Sequence, residues 1–127
     1  MKWLPPAVLF MVLPAACMAA DTGRWFQPFT PHESIAQAVF TGMAIVDWGQ
    51  TRDIARGPAR FTETNPILGR HPTLRQVDTL VPLGICIHAL IAWALPQKYR
   101  RYWQYVWIGI ETQAVHSNYR SEVRISF

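Results

Sequence analysis

The stretch TLVPLGICIHALIAWALPQ, residues 79–97, decides how this chain is read. It lies between Asp78 and Lys98 and contains no Asp, Glu, Lys or Arg. As a helix rising ~1.5 Å per residue it is about 28 Å long, close to the thickness of a bilayer's hydrocarbon core. From Leu80 to Leu95 it is apolar on every side except at His88 and the small Gly84. A surface helix of a soluble domain has one apolar and one polar face. A helix that is apolar all round belongs in a membrane or at the centre of a large protein, and a chain of 127 residues is not large.

Two shorter stretches on either side have the same character. Residues 34–51 are interrupted only by Asp47, and residues 102–119 only by Glu111. Each is near the minimum length for a tilted span. The expectation is therefore an all-α fold: a small integral membrane bundle of about three transmembrane helices in a single domain, residues 21–127.

Residues 1–20 are a separate unit. Lys2 precedes the charge-free WLPPAVLFMVLPAACMAA of residues 3–20, the layout of a signal peptide or signal-anchor. Pro5, Pro6 and Pro14 argue against a stable anchoring helix. Cleavage after Ala19 or Ala20 would remove Cys17 and leave Cys86 as the single thiol, which its apolar surroundings predict to be a small buried hydrophobe.

Aromatic and basic residues mark the ends of the spans. Tyr99, Tyr102, Trp103, Tyr105 and Trp107 gather beside Lys98, Arg100 and Arg101. Trp and Tyr favour the headgroup level of a membrane. A signal sends the mature N-terminus out of the cytoplasm. Arg52, Arg56, Arg60, Arg70, Arg75, Arg120 and Arg124 then fall inside, and Arg24, Lys98, Arg100 and Arg101 outside, in the sense of the positive-inside rule. This predicts a multi-pass protein of the inner (cytoplasmic) membrane. The net charge of +4 flanks apolar spans, so it points to anionic lipid headgroups and not to nucleic acid. Three spans enclose little volume, so self-association or another membrane protein is the expected partner.

Between the first two spans runs GPARFTETNPILGRHPTLR, residues 57–75. Gly57-Pro58 ends the first helix, Asn65-Pro66 and Gly69 with His71-Pro72 make turns, and Thr73 is a candidate N-cap. Ile67-Leu68 between the turns is an apolar wedge.

Asp47-Trp48-Gly49-Gln50-Thr51 closes the first span, and Glu63-Thr64-Asn65-Pro66 follows a short loop later. These residues resemble a family of small uncharacterised bacterial integral membrane proteins with an Asp-x-x-x-Thr helix followed by a Glu-x-Asn-Pro turn. The likeness covers about residues 35 to 95. It implies a helical membrane fold and brings no agreed activity.

Charged groups in a span are costly and normally face a partner or a cavity. The polar intramembrane and loop candidates are Asp47, Thr51, Glu63, Asn65, His88 and Glu111. Asp47 and Thr51, four apart, share a helical face. Gln104, Glu111 and Asn118, at sevenfold spacing, form a polar stripe on the third helix. His88 and Glu111 share a depth and are candidates to pair. Gly42, Gly49, Gly84 and Gly109 would let the helices approach closely. Together these predict helices packed through an intramembrane polar seam, in a protein with a binding, accessory or structural role. The alternative is a small membrane enzyme or proton-linked carrier using the same Asp, Glu and His residues. No metal spacing, P-loop, G-x-S-x-G or dinucleotide fingerprint occurs, so no catalytic residue and no cofactor is assigned. The tail EVRISF, residues 122–127, alternates polar and apolar and reads as a short extended segment.

Overall fold

The computed structural model describes residues 23–57, 59–63 and 65–127; residues 1–20, expected to be a signal peptide or signal-anchor, lie outside them together with Cys17. Three helices follow in order: α1 (Pro31–Arg56), α2 (Leu74–Ala94) and α3 (Gln97–Arg120). Among the described residues all regular structure is helical. The bundle is built around α1, which packs against both other helices, while α2 and α3 touch each other sparingly.

Helices α1 and α2 begin where the sequence supplies a side-chain cap, and α3 begins without one at Pro96. Thr30 accepts the Glu33 N–H at 3.3 Å, and Glu33 Oε2 accepts the Thr30 N–H at 2.8 Å, a reciprocal capping box with Pro31 in the first turn. Thr73 and Gln76 repeat the arrangement at the start of α2. Gly57 ends α1, donating its N–H to the Asp53 and Ile54 carbonyls. Leu95 and Pro96 make the short connection to α3, whose first turn closes when Tyr99 and Arg100 donate to the Pro96 carbonyl. Helices α1 and α3 run beyond the charge-poor stretches that announce them, because capping and polar first and last turns carry the backbone ladder past the apolar core.

Burial on α1 follows one helical face, Glu33, Ala36, Phe40, Ala44, Gln50, Thr51 and Ile54, with Gly49 buried separately beneath the C-terminal tail. On α2 the seam is narrow, and only Val77, His88 and Ala92 are fully buried. Leu83, Cys86, Ile87, Leu90 and Trp93 point outward. Cys86 is therefore exposed on the bundle, not buried. An all-apolar helix gives no sign of which side its single seam will take.

After α3 the chain turns through Glu122, held in the left-handed region at φ 61°, and the tail runs back along α1. The Arg124 N–H donates to Asp53 Oδ2 at 3.0 Å, the Ser126 N–H to the Gly49 carbonyl at 3.0 Å, and Arg52 Nε to the Ser126 carbonyl at 3.1 Å. A Cβ at Gly49 would sit 2.6 Å from Ile125 Cγ2 and 3.0 Å from the Phe127 ring, so this approach requires glycine. Gly42, Gly84 and Gly109 face open space instead of a neighbouring helix, because all three lie on outward faces of their helices. In the loop, Leu68 is buried and Ile67 is exposed, so only half of the apolar wedge is used.

Candidate functional site

Two polar groups occupy the two ends of the bundle, and the Gln104–Glu111–Asn118 stripe of α3 runs between them. At the end where α2 turns into α3, the central residue is Arg100, fully buried. Its Nη1 donates to Glu33 Oε2 at 3.1 Å and to the Pro28 carbonyl at 3.2 Å. Its Nη2 donates to the carbonyls of Gln27, Trp93 and Leu95 at 2.9, 3.2 and 3.1 Å. The Phe29 ring lies 4.9 Å beneath the guanidinium. One side chain thus satisfies carbonyls at the end of α2, fixes the segment before α1 and pairs with the α1 cap. Burial pushes the Glu33 carboxyl up, but the Thr30 N–H, the Arg100 and Thr30 side-chain hydrogen bonds and the Arg100 charge outweigh it. The group is held below the usual glutamate range.

The network continues inward. Gln104 Nε2 donates to the Glu33 carbonyl at 3.0 Å and reaches Gln37 Oε1 at 3.5 Å, and Gln37 Nε2 meets His88 Nδ1 at 3.3 Å. The His88 ring stacks on Phe40, with centroids 3.6 Å apart, and on Trp103 at 5.4 Å, with Trp107 edge-on at 6.0 Å. His88 therefore pairs with Gln37 and not with Glu111. The parallel register of α1 and α3 sets Gln104 beside Glu33 and Gln37, which leaves Glu111 about 10 Å further along α3.

At the loop end, Asn118 Nδ2 donates to Asp47 Oδ1 at 3.0 Å and to Gln50 Oε1 at 3.3 Å, and Gln50 Nε2 donates to the Val115 carbonyl at 3.4 Å. The Thr51 hydroxyl also hydrogen-bonds Asp47, and Glu63 and Glu111 are both close enough to interact with it electrostatically. Glu63 Oε1 accepts the Asn65 N–H at 2.7 Å, and the Glu63 N–H donates to the Arg70 carbonyl at 3.0 Å. These two bonds close the loop turn on itself. Beside it, Asp78 of α2 accepts from Trp48 Nε1 at 2.9 Å and pairs with Arg52.

Of the residues singled out in the sequence, Asp47, Thr51, Glu63, Asn65 and Glu111 therefore come together at the loop end, while His88 stands in the other group. Among the described residues no three His, Cys, Asp or Glu side chains are placed to hold a metal ion. Two clefts open at the loop end, one around Glu63 and Asn65 and one between Arg56, Arg60 and Arg124. Neither is lined by Asp47, His88 or Glu111. Glu33, Gln37 and Arg100 are the structural centre that sequence reasoning missed. Arg100 looked like one of three interfacial basic residues, yet it lies one turn before Gln104, on the face of the polar stripe. No family model, no curated relative and no solved structure matches this chain.

Proposed function

We propose that the chain is a small multi-pass helical membrane protein of a bacterial inner membrane, with a structural or binding role and spans within α1 at residues 34–51, α2 at Leu74–Ala94 and α3 at residues 102–119. The observation that carries this reading is the exposure of α2. It is long and apolar enough to cross a membrane, yet only 17% of its most apolar window is buried inside the bundle. In water, Leu83, Ile87, Leu90 and Trp93 would form an apolar surface of the kind that monomeric soluble domains avoid. In a bilayer the same surface is solvated by acyl chains. The polar side chains point inward to Gln37, Gln50, Asn118 and backbone carbonyls, as hydrogen-bonded groups must where no water is at hand. The Asp-x-x-x-Thr and Glu-x-Asn-Pro resemblance belongs to the same proposal.

Contacts of this kind hold helices together, and they favour the structural or binding reading. The test is fractionation of the full chain expressed in bacteria. It is expected to stay with the membrane pellet through an alkaline carbonate wash and to need detergent for release. Recovery of folded, monodisperse protein in detergent-free buffer contradicts the reading.

A further inference from the structure

We infer that the cleft between Arg56, Arg60 and Arg124 is a binding site for the headgroup phosphate of an anionic membrane phospholipid. The inference rests on the membrane reading and assigns it a specific ligand. The cleft measures about 380 Å³ and also draws on Asp53, Glu122 and Phe61.

Its depth is the first argument. The Arg52–Asp78 pair ties α1 to α2 where the charge-free stretch of α2 begins, so it marks the edge of the apolar band. Arg56 lies one turn further out, about 6 Å along the helix. The headgroup layer extends roughly 5–8 Å beyond the hydrocarbon on each side, so the cleft falls at phosphate level.

Its chemistry is the second argument. Both acids of the cleft are engaged. Asp53 Oδ2 accepts the Arg124 N–H, and Glu122 pairs with Arg60 at 3.1 Å in an exposed contact of the kind that contributes little. At the end of α1 the Gly57 N–H caps the Asp53 and Ile54 carbonyls, and Arg60 and Phe61 donate to the Gly57 carbonyl just beyond the helix, which softens the negative helix end beside the cleft. Among the described residues Arg124 hydrogen-bonds through its backbone N–H, and the residue is exposed. Arg56 spends one Nη1 on the Ser126 hydroxyl. Arg56 and Arg124 thus line the cleft with guanidinium donors that the described residues do not use up, the chemistry that suits a phosphate. Phe61, under the Arg60 guanidinium at 4.9 Å, supplies an apolar wall for the glycerol end of a lipid.

The test uses the full chain in an uncharged detergent at physiological salt. It is titrated with short-chain phosphatidylglycerol, short-chain phosphatidylcholine and inorganic phosphate, and bound lipid is read by native mass spectrometry. Phosphatidylglycerol is expected to bind at least about tenfold more tightly than phosphatidylcholine, and R56Q/R60Q/R124Q to reduce the preference to about twofold or less. R124Q alone, which removes no hydrogen bond or ion pair among the described residues, is expected to weaken it severalfold, so the inference stays open to refutation even where the triple variant folds poorly. R75Q removes the same charge from the exposed start of α2 and is expected to leave the preference intact. Equal binding of the two lipids, an equal loss in R75Q and R124Q, or inorganic phosphate binding as tightly as the lipid would each overturn the inference. Incorporation into neutral phosphatidylcholine nanodiscs tests the membrane reading separately. Incorporation without a phosphatidylglycerol preference removes the cleft assignment alone, and failure to incorporate removes both.

Discussion

Arg100 is the residue on which one end of the bundle depends. It neutralises a buried carboxylate and serves four carbonyls from two segments of chain. Arg100→Met would leave Glu33 buried without its charge partner and is expected to cost about 3–5 kcal/mol. Arg100→Lys keeps the charge but loses the planar fork, and is expected to lose a large part of the same stability, read as thermal unfolding in detergent. The pH dependence follows from Glu33. Its folded carboxyl titrates below the usual value of 4.5, so its stabilisation is complete above that pH and is lost as pH falls through the folded value. Glu33→Gln should flatten this acid limb; an unchanged acid limb would show that the pair does not contribute. Gly49 matters in a different way. Gly49→Ala would push against Ile125 and Phe127, which are side chains of a short tail and can move away. The expected result is faster hydrogen exchange at the Ser126 amide, by about tenfold or more, with less than about 1 kcal/mol lost from the bundle. Global unfolding instead would mean that the tail is part of the core.

At the scale of elements, α1 and α3 are joined by polar contacts at both ends, and α2 is attached through a narrow seam. Gln104 and Gln113 lie on opposite sides of α3, the first buried against Glu33 and the second exposed. Gln104→Leu leaves the Glu33 carbonyl without its donor and is expected to cost about 1–3 kcal/mol, whereas Gln113→Leu should be neutral within about 0.5 kcal/mol. Equal effects in a detergent unfolding series would deny the two-faced character of α3. Much at this scale was legible in the sequence. Thr73 and Gly57 announce helix ends by local chemistry, and the spacing of Gln104, Glu111 and Asn118 marks one face of a helix before any neighbour is known. The pairing of His88 was not legible. Position along each helix suggested Glu111 as its partner, but the register between α1 and α3 is set by Glu33, Arg100 and Gln104, and no local pattern encodes it. Cys86 misled for a related reason, since apolar neighbours in sequence say nothing about which side of an apolar helix meets the bundle.

For the whole molecule, the central claim is that the outward face of α2 meets hydrocarbon. The helical class was readable from residues 79–97 and its two shorter companions. The membrane around them was expected from the charge-free length and all-round apolar character of that stretch, and the outward-facing Leu83, Ile87 and Leu90 support the same reading. Cys86 sits in the middle of that face and is a built-in probe. A C17S form of the full chain, in lipid vesicles made permeable to small solutes, is treated with a charged, water-soluble thiol reagent, and its labelling is compared with that of a C17S/C86S/R75C form, whose thiol stands at the exposed start of α2. A thiolate forms poorly in hydrocarbon and a charged reagent does not enter it, so Cys86 is expected to react at least about 100-fold more slowly than the thiol at position 75 until the protein is denatured. Labelling of Cys86 within about threefold of the position 75 rate, in folded protein in intact lipid, would contradict the claim, because a thiol exposed on the bundle and equally open to water cannot lie in a membrane.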